Sequence, residues 1–349
     1  MKIEIKRLIL KIVLGVLITG SVILGGAAFS FWRFLNTPLE TPKLVLIDKG
    51  WNLNRIAKFL EDQEVISSAQ WFLLLVYYHD YQEKRPLTLH AGEYQFIQGE
   101  LPARILSRMQ HGDVVRYKFS FPEGLTAKEI AARMLAQGWS DAPQLMQDAE
   151  VIKKLHLPAK VLEGWLFPET YFFTRGVSTF EMLSRMTRMT RKILDQEWPN
   201  RSPGYALTPQ ETLILASIIE KETGQASERN RISGVFHNRM RRNMRLESDP
   251  TVIYGLTDFT GDLTHNHLIT PTPFNTYTNL GLPPSPICNP GLASIHAALH
   301  PDNHTELFFV AQGDGSHVFS KTFQEHKANV NRLQKSKKTN PPKGKNASE

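Results

Sequence analysis

No charged residue interrupts the chain from Ile12 to Phe29, and beyond it apolar positions recur at helical or strand spacing as far as Phe319. Carried on to Trp32, the uncharged run is about 21 residues, or about 31 Å of helix, enough to cross a bilayer core. Past a short linker over 33–42, Leu44-Val45-Leu46-Ile47 predicts a strand, Gly50 a turn, and the Ile56-Ala57 pair an amphipathic helix. A second helix over Ser68 to Tyr81 and a strand at Tyr94-Gln95-Phe96 complete a β-α-α-β order. About 74 residues on, the opening recurs: a strand over Val114 to Phe121, then Gly124, then Ile130-Ala131 in the same spacing. The pattern predicts either a weak internal repeat or two unrelated α+β pieces.

From about Val161 the chain turns toward aromatic and Pro-rich turns. Helices are predicted over Thr179 to Glu197, from Thr208 onward, along a face bearing Ile232, Val235, Phe236 and Met240, and over Ser294 to Leu299. Asp258 to Pro290 reads as a long irregular stretch, a length uncommon in a compact domain unless it binds something. A hairpin across Gly313-Asp314-Gly315 closes the pattern. The predicted fold class is α+β.

The helix from Thr208 has the best-specified start: Thr208 suits the N-cap, Pro209 the first helical position, and Glu211 completes a capping box. Leu213, Ile214, Leu215, Ala216, Ile218 and Ile219 leave it almost no polar face, which predicts an interior helix with Gly224 as its stop. Glu220 would then lie in the last turn, where burial and the helix dipole both disfavour its ionised form. Such a carboxyl can keep a proton for a leaving oxygen. The plainer alternative is that Glu220 and Glu222 flank Lys221 on a solvated helix end.

Charge supplies the address. Lys2, Lys6, Arg7 and Lys11 precede the apolar run and only Arg33 closely follows it, so the basic segment 1–11 is expected to stay in the cytoplasm, with 12–32 crossing the membrane and the bulk outside. Phe31 and Trp32 fit an interfacial anchor. A signal peptide is the rival; the run is long for one, although Gly25-Gly26-Ala27-Ala28 leaves a cleavage site open. The net charge of +7 suits anionic envelope polymers and lipid head groups rather than nucleic acid in that setting. The single cysteine, Cys288, excludes an intramolecular disulfide, and the Lys-rich segment 331–349 is expected to be disordered.

Three chemistries compete. His265 and His267, with His237 and His296, offer metal ligands, but one H-x-H is a weak pattern, and neither a metal nor a cofactor is expected. Ser217 and Lys221 lie one turn apart as a conceivable nucleophile and base, although a serine in an apolar helix more often bonds back to its own backbone. For glycosidic cleavage, a protonated Glu220 would need surfaces for sugar rings and hydroxyls, for which Tyr171, Asn238, Tyr254, Asn275, Tyr277 and Asn289 are candidates. A hydrolase would need a second acid, with Glu222, Glu247 and Asp249 available but unplaced.

Five ordered segments resemble the YceG-like endolytic murein transglycosylases of bacteria: Leu162-Glu163-Gly164-Trp165-Leu166-Phe167-Pro168-Glu169-Thr170-Tyr171, Ala216-Ser217-Ile218-Ile219-Glu220-Lys221-Glu222-Thr223, Asp249-Pro250-Thr251-Val252-Ile253-Tyr254-Gly255, Asn275-Thr276-Tyr277, and Leu282 to Gly291. Ser285 stands where that family more often shows glycine. The resemblance implies a single-pass inner-membrane protein with a LysM-like module over 43–112 and a periplasmic catalytic domain over 113–330. It implies Glu220 as catalytic acid/base, with Glu163, Glu169, Tyr171, Glu222, Asn238, Asp249, Tyr254, Asn275, Tyr277 and Asn289 on the substrate side. The implied reaction cuts nascent peptidoglycan strands between N-acetylmuramic acid and N-acetylglucosamine, leaves 1,6-anhydro ends and limits strand length. Peptidoglycan synthases of the penicillin-binding type are the implied protein partners. A non-enzymatic glycan-binding scaffold and a two-carboxylate muramidase stay open as alternatives.

Overall fold

The computed structural model describes residues 2–83, 87–257 and 259–339 of a mixed helix-and-strand fold. It comprises two compact units, residues 1–118 with 172–177, and residues 119–171 with 178–349.

In the first unit α1 (Lys2–Leu35) carries the apolar run, and its stretch Leu10–Leu35 is long and apolar enough to cross a membrane. Next come β1 (Lys43–Ile47), α2 (Leu53–Asp62), α3 (Ala69–Glu83), β2 (Gly92–Phe96) and α4 (Pro102–His111). β1 and β2 pair antiparallel, with Lys43 opposite Phe96 and Ile47 opposite Gly92. Alternation turns Val45 and Ile47 inward with Tyr94 and Phe96, onto Ile56, Ala57 and Leu60 of α2 and Phe72 and Val76 of α3. Asn52 caps α2 by accepting a bond from Arg55 N, so the β-α-α-β order read from the pattern closes on one core.

The expected strand from Val114 shortens to β3 (Tyr117–Ser120), which pairs with β4 (Thr170–Phe173) across α5 (Ala127–Ala136), α6 (Ala142–Leu145) and α7 (Ala149–Lys154). The two openings share local features. Gly50 and Gly124 both take positive φ, 85° and 82°, and the Ile-Ala pair after each is buried.

The second unit continues with α8 (Thr179–Glu197), α9 (Pro209–Glu222), α10 (Arg229–Arg241), α11 (Asp249–Gly255), α12 (His265–Ile269), α13 (Leu292–Leu299), β5 (Phe308–Ala311), β6 (His317–Ser320) and α14 (Phe323–Thr339). α9 is its centre, packed by α10, α11 and α13, with Leu213, Leu215, Ile218 and Ile219 against Ile232, Phe236, Ile295 and Leu299. Among the described residues of the stretch from 258 to 290, α12 is the regular element; Asp258 lies outside them. The expected disordered segment 331–349 begins inside the last helix. α14 runs on to Thr339, because Phe323 and His326 pack on Phe308 and seed a helix that the following residues extend. Residues 340–349 lie outside the described structure.

Candidate active site

The capping box at the start of α9 forms as predicted: Thr208 Oγ1 accepts from Glu211 N, and the Glu211 carboxylate accepts from Thr208 N at 2.8 Å. The helix ends at Glu222 on an extended Thr223, one residue before the predicted Gly224. Glu220 therefore occupies the last turn with a side chain only 5% exposed. Its Oε2 accepts a bond from Gly291 N at 3.0 Å, and its Oε1 stands 3.8 Å from Nη2 of Arg229, the first residue of α10. Among the described residues Glu220 accepts no other hydrogen bond, which leaves Oε1 available.

The Gly291 amide is held in place by Asn289, two residues earlier. Asn289 Oδ1 accepts from Leu166 N at 2.9 Å, and Nδ2 donates to Leu125 O at 3.0 Å and to Glu163 Oε1 at 2.9 Å. Its backbone pairs with the turn before α5, Asn289 N to Leu125 O and Gly124 N to Asn289 O. Glu163 also accepts from Ala127 N at 2.9 Å and from the Tyr254 hydroxyl at 3.0 Å. Burial pushes the Glu163 carboxyl up to about 7 against the pull of those three donors. The Tyr254 hydroxyl is raised too, by burial first and then by the Glu163 charge.

Glu222 points elsewhere. Its carboxyl accepts from Ser248 Oγ at 2.5 Å, and burial first, then nearby Asp249, push it up to about 7 against Ser248 and Arg239. Tyr277 donates to Asp249 Oδ1 at 2.7 Å. Glu222, Asp249 and Tyr277 share a cleft of about 460 Å³ with Arg239, His317 and Phe308.

Of the remaining expected site residues, Asn275, Asn238 and Tyr171 are buried and Glu169 is exposed. Asn275 is fully buried, donates to Leu268 O and Thr270 O and accepts from Tyr277 N, so it shapes the turn that presents Tyr277. Asn238 is buried between the His304 and Glu306 carbonyls. Tyr171 is buried, stacks on Phe121 and donates to Phe167 O. Glu169 is exposed, its carboxylate accepting from Thr170 N. Asn238, Asn275, Asn289, Glu163 and Tyr171 thus have their polar groups bonded inside the fold.

The residues of the two rival chemistries have the following partners. Ser217 is fully buried, donates to Ile214 O and accepts from Ile287 N, while the exposed Lys221 reaches Gly124 O at 3.4 Å. His237 bonds Ala298 O, and His267 caps α12. The group of described residues with metal-ligand spacing is Glu197, His296 and His300, whose donor atoms lie within 4.8 Å of one another, at the end of α13 opposite Gly291.

Sequence reasoning missed Glu123 and Arg229. Arg229 was lost among the arginines of α10, although it is the one at the helix start and is 8% exposed. Glu123 Oε1 stands 3.5 Å from Arg229 Nη2, so one guanidinium serves Glu123 and Glu220. The available signal was position: Glu123 precedes the left-handed Gly124 at the second strand-turn-helix opening.

Residues 45–332 match the YceG-like family. The chain is 30% identical over 324 residues to an endolytic murein transglycosylase of Bacillus subtilis (strain 168), covering 86% of this chain and 88% of that protein. It is 26% identical over 330 residues to an endolytic murein transglycosylase of Streptococcus pneumoniae serotype 2 (strain D39 / NCTC 7466), covering 81% of this chain but 57% of that longer protein. A crystal structure of a yceG-like protein from Listeria monocytogenes matches with a TM-score of 0.53 at 31% identity, over 83% of this chain and 99% of that one.

Proposed function

The chain belongs to the YceG-like family, and from that premise we propose that it is an endolytic murein transglycosylase. Its substrate is the bond between N-acetylmuramic acid and N-acetylglucosamine within nascent peptidoglycan strands, its products carry 1,6-anhydro ends, and its effect is to limit strand length. Glu220 is the acid/base. The observation that supports this most is the environment of that carboxyl: one oxygen fixed by Gly291 N, the other without a hydrogen bond, at the end of a buried helix. In the first step Oε1 gives its proton to the glycosidic oxygen, and the C1–O bond pair leaves with that oxygen. In the second the C6 hydroxyl oxygen of the same sugar bonds to C1 and returns its proton to Glu220. No water enters.

In this reading α1 anchors the chain in the inner membrane with residues 1–11 in the cytoplasm, and the two units work in the periplasm. The β-α-α-β unit is a LysM-like glycan holder. Glu222, Asp249 and Tyr277, with their cleft, contribute to strand binding, and the framed amides keep the Gly291 amide on Glu220. Synthases of the penicillin-binding type are the candidate protein partners, because they make the nascent strands.

A hydrolase has one observation in its favour, the carboxyl of Glu123 near Glu220. The products decide. Purified full-length protein in detergent is incubated with isolated murein and the fragments are weighed; anhydro ends are lighter than hydrolysed ends by one water, about 18 mass units. Glu220→Gln should lower the rate by about 10²-fold to 10⁴-fold with the fold intact. Hydrated reducing ends, or a Glu220→Gln variant that still cuts, would sink the transglycosylase.

A further inference from the structure

Arg229 is an under-used buried cation. Its Nη2 lies between Glu123 Oε1 at 3.5 Å and Glu220 Oε1 at 3.8 Å, both longer than the 2.7–2.9 Å of a charge-assisted bond, and its Nε is buried without a partner. Glu123 is placed with care. Its Oε2 occupies the space beside Gly291 so closely that a Cβ on that residue would meet it at 1.8 Å. Its backbone neighbour Gly124 is tied to Asn289 O.

We propose that Arg229 is a counter-ion shared by Glu220 and Glu123, and that Glu123 is a positioning residue that draws the guanidinium off Glu220 while the acid carries its proton. The assignment rests on Glu220 being the acid/base. A general acid in full contact with an arginine would be held ionised and have no proton to give. One guanidinium stands between two carboxylate oxygens, close enough to turn toward either and too far to bond both fully. When Glu220 gives its proton to the glycosidic oxygen it becomes an anion, and Arg229 closes the remaining distance to it. When the C6 proton returns, the guanidinium relaxes toward Glu123. Only that proton moves; the arginine stays charged throughout.

The other groups facing Glu220 do not supply this control. Lys221, on the same helix, directs its ammonium to Gly124 O, and burial first, then Glu220, keep the Cys288 thiol protonated. Burial first, then the Glu220 charge, raise the Glu123 carboxyl, and Arg229 opposes them.

The test is the pH profile of turnover by full-length protein on soluble, uncrosslinked glycan strands, for wild type, Glu123→Gln, Arg229→Lys and Arg229→Gln. Protonated Glu220 is needed, so activity fails as pH rises. Removing the Glu123 charge leaves Arg229 wholly to Glu220 and should move that failing limb down by about one pH unit, an about tenfold loss above it, with KM unchanged. Removing the Arg229 charge should move the limb up, and lysine should fall between. Thermal melting confirms that each variant is folded, and Glu123→Gln, at a half-exposed side chain, tests the idea even if the buried arginine variants do not fold. An unmoved limb, or equal loss at every pH in Glu123→Gln, overturns the shared counter-ion. Wild type without anhydro products, or an active Glu220→Gln, removes the transglycosylase and this assignment together, whereas normal cleavage with an unmoved limb removes only the assignment.

Discussion

Glu163→Gln should make this protein more stable at pH 8 and abolish much of its stability change between pH 4.5 and 7. The carboxyl is 5% exposed and raised by burial from an ordinary value of 4.5 to about 7. Because the folded value is the higher one, the folded chain keeps the proton through that window while the unfolded chain loses it. Stability is therefore fully present below about 4.5 and declines as pH rises toward 7. At 1.36 kcal/mol for each unit, the loss is about 3 kcal/mol. Glutamine imitates the protonated acid. Its amide oxygen can accept from Ala127 N and Asn289 Nδ2 as Oε1 does, and its NH₂ can donate to the Tyr254 hydroxyl oxygen. Differential scanning calorimetry of full-length protein from pH 4.5 to 8 should show the two melting curves together at low pH. At pH 8 the variant should melt roughly 6–12 °C higher, at the few degrees per kcal/mol expected for a unit this size. Parallel curves, or a variant that is weaker at pH 8, would show that the native structure needs a carboxylate there and would refute the buried, proton-holding reading.

Two further expectations follow from single features. Gly291→Ala puts a Cβ where the Glu123 carboxylate lies, so Glu123 must swing away; turnover above the failing limb of the pH profile should fall about tenfold, as for Glu123→Gln, with little change in melting because Glu123 is half-exposed. Wild-type turnover in that variant would show that the placement of Glu123 is idle. A reporter fused after Glu349 should be active only outside the cytoplasm, given four basic residues before the apolar run and Arg33 close after it. Activity of the fusion in the cytoplasm would reverse the topology and remove the substrate.

What was legible in the residues was what short range decides. The uncharged run of α1, the capping box that sets the register of α9, and the strand-glycine-helix openings depend on neighbours within a turn or two, so spacing and cap chemistry suffice to read them. The start of α14 lies beyond that logic: Phe323 and His326 pack on Phe308, from another element, which spacing within the segment does not show. The candidate site shows the division most sharply. Glu220 could be picked out from its own helix, but Glu123 is 97 positions earlier, and only packing brings both to one guanidinium. Likewise an asparagine reads the same whether its amide faces a sugar or a backbone carbonyl. Asn289 and Asn275 are committed inward because buried backbone groups of distant loops must find partners, and that demand exists only once the chain has folded.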